Sequence, residues 1–158
     1  MARIVDATDR ALLARLMEDG RVALSKLAKQ VGVSRPTAAT RLRLLTDNGL
    51  LRVCGLVDVL QMRGLTMALV GVTVDRHQLD EKVEQIAALR EVTWAAVVTG
   101  RYDIMAEVVT EEGVNGLYDF LNTSLRSVGG ITASEMFVVL ETRNKWMRLP
   151  AALRRAWL

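Results

Sequence analysis

The chain holds a single cysteine, Cys54, and a single histidine, His77, among 158 residues. One cysteine excludes an intrachain disulfide and any cysteine-cluster zinc site. One histidine makes a catalytic triad or a histidine-rich metal centre a poor expectation, so no catalytic residue, metal or cofactor is assigned. No apolar run approaches the roughly 18 residues of a membrane span. Asp6 and Asp9 interrupt the stretch where a secretory leader needs an apolar core, so the expected location is cytoplasmic, with no membrane partner. Acids are missing locally as well. Residues 20–46 contain six Arg or Lys and no Asp or Glu, and residues 143–158 contain five basic side chains and no acid.

Charge is therefore segregated. Residues 1–60 carry ten basic and six acidic side chains, a net +4, whereas residues 61–142 carry six basic and twelve acidic, a net −6. A basic module joined to an acidic one suggests a polyanion partner for the first and another task for the second.

The basic module reads as three short helices. Leu12, Leu13, Leu16 and Met17 share one face of a helix from about Thr8 to Glu18, which Asp19-Gly20 stops. Leu24, Leu27, Ala28 and Val31 mark a second helix ended by Gly32, where a left-handed turn suits glycine. Ser34 caps a third, Pro36 is tolerated in its first turn, and Ala38, Leu42 and Leu45 form its inner face. Two helices joined by a tight glycine-containing turn are a helix-turn-helix. Arg35, Thr37, Thr40 and Arg41 project outward on this reading, with Arg43 at the flank. Arg can hold guanine bidentately, Thr offers a hydroxyl or a methyl, and Ser34 with the helix N-terminus can hold a phosphate. Arg21, Lys26 and Lys29 add phosphate neutralisation, so double-stranded DNA is the expected partner.

Leu50 to Leu60 alternates like a strand, which places a wing or linker strand over residues 53–65 between a helix-turn-helix domain of residues 1–52 and a second domain of residues 66–142. In that domain Ala68, Val70, Val72 and Val74 alternate as a strand, and Leu79, Val83, Ile86 and Leu89 recur as a helix. Val92 to Thr99 and Ile104 to Val109 are further strands, Val114 to Val128 a second helix, and Ile131 to Leu140 a last strand. The order βαββαβ is the ferredoxin-like pattern, so the whole chain is an α+β protein. Two helices cover one face of a four-stranded sheet. The last strand is apolar on both sides, with Phe137 and Val139 on one and Met136, Val138 and Leu140 on the other, so homo-oligomerisation through the bare face is expected.

Order and spacing then carry a resemblance. Asp6-x-x-Asp9-x-x-Leu12-Leu13-x-x-Leu16, Asp19-Gly20-Arg21, Leu27-Ala28-x-x-Val31-Gly32-Val33-Ser34, Arg41-Leu42-x-x-Leu45 and Gly49-Leu50-Leu51 follow one another in the basic module. Gly64, Thr99-Gly100-x-Tyr102-Asp103 and Gly130-Ile131 continue the series. Over about residues 3–142 the chain resembles the leucine-responsive/asparagine-responsive (Lrp/AsnC) regulators. The resemblance implies a winged N-terminal DNA reader, an amino-acid-sensing C-terminal domain, and homodimers that assemble into tetramers or octamers. Departures are Ala23, where the family has a Ser or Thr cap, and Met136, where it often has Thr. The basic tail of residues 143–158, with Trp146 and Trp157, has no clear family counterpart. Packing is the favoured role for these tryptophans over DNA or a membrane surface, because Pro150 breaks any long amphipathic helix.

The turn Gly100-Arg101-Tyr102-Asp103 is the candidate sensor. Asp103 can accept an ammonium, while backbone N–H groups beside Gly100, with Arg101 nearby, can hold a carboxylate. By residue chemistry alone a plain hairpin connection is the simpler reading. The resemblance places the effector at this turn, between dimers, with Thr99, Tyr102, Ser134 and Met136 as further members. His77 reads as a surface residue, Cys54 as a small packing residue and Trp94 as core. Two alternatives differ in class. One is an enzyme like the siroheme decarboxylases, which resemble the same architecture but use His, Arg and Tyr around a tetrapyrrole. The other is an architectural DNA-binding protein of weak sequence preference.

Overall fold

The computed structural model describes residues 5–143 and 150–158, which form two compact units. One unit comprises the chain to Leu56 together with the segment from Asn144 to Leu158, and the other spans Val57–Arg143.

The first unit begins with α1 (Ala7–Glu18), α2 (Leu24–Val31) and α3 (Arg35–Asp47). Asp6 caps α1 by accepting from the Asp9 backbone N–H, which satisfies one of the helix's free donors. Ala23 offers α2 no such bond, as the missing hydroxyl leads one to expect. Gly32 closes α2 in the left-handed region at φ 76°, and its N–H reaches Ala28 and Lys29 carbonyls. Ser34 caps α3, accepting from Thr37 N at 3.2 Å. Leu12, Leu27, Ala28 and Ala38 make the buried centre, flanked by Leu16, Leu24, Val31 and Leu42.

Between the units the expected wing strand is not formed. Residues 51–58 take no regular secondary structure, and only a short 3-10 turn, Val59–Gln61, follows. A strand needs a neighbour to satisfy its backbone, and among the described residues none pairs with this stretch. Its alternation reflects apolar side chains left outside: Val53, Leu56 and Val57 are all exposed. Cys54 is exposed with them rather than packed.

The second unit is a four-stranded antiparallel sheet in the order β2-β3-β1-β4, built from β1 (Thr66–Val74), β2 (Val92–Val97), β3 (Ile104–Thr110) and β4 (Ile131–Val138). Between β1 and β2 lies α4 (Leu79–Ala87). Between β3 and β4, α5 (Val114–Asp119) runs through a π-helical turn, Phe120–Leu125, into α6 (Arg126–Val128). Ala68, Val70, Val72, Ile104, Ala106 and Val108 face Ile86, Leu117, Phe120 and Leu125 to form the core. This is the βαββαβ arrangement read from the sequence.

Residues directly opposite in an antiparallel pair share a face, so the register assigns the paired strand residues to one side or the other. Val70 opposes Met136 and Val72 opposes Ser134, and both therefore lie on the helix-covered side. Met136 packs against the core there, and Val138, opposite Ala68, lies on the same side, so neither of these apolar residues belongs to the bare face through which oligomers were expected to form. The bare face instead carries Leu69, Gly71, Met105, Glu107, Trp94, Glu135 and Phe137. Trp94, expected in the core, stands on it 43% exposed. Beyond the sheet, α7 (Ala151–Arg155) belongs to the helical unit, while Trp146 lies outside the described residues.

Candidate functional site

The outer face of α3 presents what a groove-reading helix needs. Arg35, Thr37, Thr40 and Arg43 are all exposed, and Leu44 is 40% exposed beside them. Pro36, Thr37, Thr40, Arg41 and Leu44 line a shallow groove of about 360 Å³. At the start of the helix the Ser34 and Thr37 hydroxyls lie 2.7 Å apart, so their oxygens and the first-turn N–H groups sit together at the positive end of the helix dipole. Arg21 is exposed, its own N–H donating to Asp19 Oδ1 at 2.9 Å in a turn that ends the α1–α2 connection.

Arg41 does not project as the sequence reading expected. Its guanidinium donates to Asp6 Oδ2 and, at 3.3 Å, to Asp9 Oδ1. Asp6, 48% exposed, is the closer partner, and Asp9, only 1% exposed, is the buried one, so Arg41 bridges an outer and an inner carboxylate. The cap bond from the Asp9 backbone, together with Arg41, lowers the Asp6 carboxyl below its ordinary pKa. Asp6 and Asp9 in turn raise that of Arg41. Arg41 thus ties α3 to the start of α1. The signal was present in the sequence as Asp6-x-x-Asp9, two acids one turn apart in an otherwise basic module.

In the sheet unit the turn from Gly100 to Asp103 is stitched to β1. The Asp103 N–H donates to Val72 O at 3.0 Å, its carbonyl accepts from Val98 N at 2.9 Å, and its Oδ2 accepts from Val74 N at 3.1 Å. Gly100 takes φ 129°, a conformation that suits glycine. Tyr102 lies over Gly71, and a Cβ on that glycine would run into the ring. The same ring meets Phe137 edge-on with centroids 6.4 Å apart, and the Arg101 guanidinium stands 5.5 Å from its centroid. Arg101 also pairs with Glu135 at 3.4 Å. The Tyr102 hydroxyl is buried without a protein partner.

The structure therefore brings Gly100, Arg101, Tyr102 and Asp103 together with Gly71, Glu135 and Phe137. It does not bring Ser134 or Met136 to them, since both lie on the opposite side of the sheet. Thr99 is exposed at the edge of the turn. Sequence reasoning missed Gly71, Glu135 and Phe137, although period-two alternation in β4 separates Glu135 and Phe137 from Ser134 and Met136. His77 is exposed in the 3-10 turn Arg76–Gln78, as expected of a surface residue. A second cleft, of about 550 Å³, lies at the other end of β3, lined by Glu91, Thr110, Glu111, Glu112 and Asp119 among others. No group of three or more His, Cys, Asp or Glu side chains suited to a metal ion occurs among the described residues. No helix among them is long and apolar enough to cross a membrane.

Residues 5–46 match the AsnC-type helix-turn-helix domain, and residues 67–148 match the Lrp/AsnC ligand binding domain. An uncharacterized HTH-type transcriptional regulator of Pyrococcus furiosus is 29% identical over 144 residues, covering 90% of this chain and 96% of its own. The leucine response regulatory protein of Mycobacterium tuberculosis is 26% identical and superimposes with a TM-score of 0.80, over 92% of this chain and 99% of its own. The feast or famine regulatory protein from M. tuberculosis, complexed with L-methionine, is 25% identical with a TM-score of 0.78, over 93% of this chain and all of its own.

Proposed function

This chain belongs to the Lrp/AsnC family of transcription regulators, and from that premise we propose that it reads a specific DNA sequence under the control of a free amino acid. The observation that carries the DNA reading is the outer face of α3. Four exposed side chains of the right chemistry, Arg35, Thr37, Thr40 and Arg43, stand on a helix free of acids before Asp47. The major groove, about 12 Å wide, accepts one such helix. In this reading Arg35 and the threonines address base edges, Ser34 and Arg21 hold phosphates, and Arg41 keeps the helix in place.

The proposed effector site is the turn from Gly100 to Asp103. Asp103 Oδ2 is occupied by Val74 N, which leaves Oδ1 to accept an ammonium. Arg101 can take the carboxylate once it leaves Glu135, and Tyr102 offers an unused hydroxyl. The regulator from M. tuberculosis that is complexed with L-methionine supports an amino acid as the ligand class. Control then requires that the ligand favour one arrangement of subunits over another. The bare sheet face, with Trp94 and Phe137, supports homo-oligomers assembled through it. Twofold assembly duplicates α3, so the operator is expected to be a rough palindrome with half-sites about 34 Å apart or a multiple of that. Named relatives are regulators, and the lone exposed histidine gives a tetrapyrrole decarboxylase no support.

Thermal-shift screening with the twenty amino acids, followed by DNA-binding anisotropy with and without the best of them, tests the reading. A ligand at 100 times its Kd adds about 2.7 kcal/mol of stability. Asp103→Asn keeps an acceptor for Val74 N–H yet removes the charge, so it is expected to lose effector affinity at least tenfold while the apo melting temperature stays nearly constant. Equal calorimetric affinity in the two proteins would assign Asp103 to the turn alone.

A further inference from the structure

Pro150 precedes α7, and the five-residue helix Ala151–Arg155 is followed by Trp157. Trp157 is half-buried, and the guanidinium of Arg10, on α1, stands 6.0 Å from its ring centroid. α1 and the residue that follows α7 thus meet in the helical unit. This adds charge where charge is already concentrated. The helical unit as a whole has fourteen basic and five acidic residues, a net +9, against seven basic and thirteen acidic, a net −6, in the sheet unit.

The cations at this junction are uncompensated. Arg15 pairs with Glu18 and Arg41 with Asp6 and Asp9, but Arg10, Arg154 and Arg155 have no carboxylate partner among the described residues. The Arg154 Nε is buried and has no acceptor among the described residues, which is costly for a guanidinium unless an acceptor arrives from outside. Folding a basic, acid-free segment back onto a basic body raises its self-repulsion, which a polyanion relieves. A planar guanidinium fork matches phosphate oxygens in particular.

We infer that α7, anchored by Trp157 against Arg10, is a second DNA-contacting element, in which Arg154 and Arg155 hold backbone phosphates of the duplex that α3 reads. The inference rests on the DNA-binding reading above and extends it to a segment that the helix-turn-helix match does not include. Such contacts carry affinity but no sequence information.

The test uses the full chain and measures DNA affinity by anisotropy across a salt series, on a selected duplex and on a random one. Arg155→Ala is expected to make the plot of log affinity against log salt shallower by about one, and Arg154→Ala/Arg155→Ala by up to about two, equally on both duplexes. Trp157→Ala, which releases the anchor while keeping both arginines, is expected to shift affinity in the same direction on both. Unchanged slopes in Arg155→Ala and in the double variant overturn the inference. So does a fall in assembly mass with an unchanged slope, which would make α7 a contact between copies of the chain. A wild-type protein without salt-dependent binding to either duplex overturns the DNA reading itself and this inference with it, whereas a normal wild-type slope with unaltered variants overturns this inference alone.

Discussion

Asp6 serves two partners at once, accepting from the Asp9 backbone N–H through Oδ1 at 2.8 Å and from Arg41 through Oδ2. Both favour the ionised form, so its carboxyl pKa falls below the ordinary 3.8. A lowered acid contributes stability that is present above the unfolded pKa and lost as pH falls through the folded one. Wild type is therefore expected to lose melting temperature more steeply below pH 4 than Asp6→Asn does, and thermal melts across that range decide it. Asp9 is the buried member of the cluster. Asp9→Ala is expected to cost about 1–3 kcal/mol in urea unfolding, because a charged hydrogen bond is lost from the interior. Arg41→Ala is expected to weaken binding to selected and random DNA by the same factor, as loss of helix position does. Arg35→Ala, in contrast, is expected to cost about 1–3 kcal/mol on the selected site and far less on random sequence. A selective loss in Arg41→Ala would restore it as a base reader.

At the scale of elements, the β2–β3 connection and β1 form one assembly, because Tyr102 can lie over β1 only where Gly71 leaves space. Gly71→Ala is expected to destabilise by about 1–3 kcal/mol, the usual range for forcing an extra methyl into a packed site. Tyr102→Ala/Gly71→Ala is expected to cost less than the sum of the single changes, since the clash needs both partners. Urea melts of the four proteins measure this coupling. Elements whose ends carry local chemistry were legible in the sequence. Ser34, Gly32 and Asp6 mark helix ends through their own hydrogen bonds and dihedral preferences, and the helices lie within a residue or so of where those signals put them. Face was harder. Alternation in β4 separates two sets of residues, but only the pairing of Val70 with Met136 says which set meets the helices. The same limit affects residues 51–58, where an alternating pattern has no strand to pair with. Arg41 departs from its helical expectation for a related reason: helical spacing gives an angular position, whereas a long side chain bends to the carboxylates within its reach, here Asp6 and Asp9.

For the whole molecule, the decisive surface is the bare sheet face with Trp94 and Phe137, 43% and 44% exposed. Fully burying a large apolar side chain contributes about 1.5–3 kcal/mol, and a copy seated there would gain the fraction of that still exposed on each ring. Light scattering at micromolar concentration is expected to give a mass above 17.5 kDa, and Trp94→Glu is expected to shift it toward that monomer value. A monomeric wild type would leave the face without this role.

The sheet order also sets a timetable for folding. Val70 in β1 must meet Ala106, 36 residues onward, and Met136, 66 residues onward, before the sheet can close. Contacts in the three-helix unit are mostly local, and local topologies fold in microseconds to milliseconds, whereas chains dominated by distant pairings are slower by orders of magnitude. On a ribosome α1, α2 and α3 are complete long before β4 emerges, and Trp157 follows β4, to dock on a helix made far earlier. Stopped-flow refolding is therefore expected to resolve a fast helical phase by circular dichroism, with tryptophan fluorescence lagging behind it.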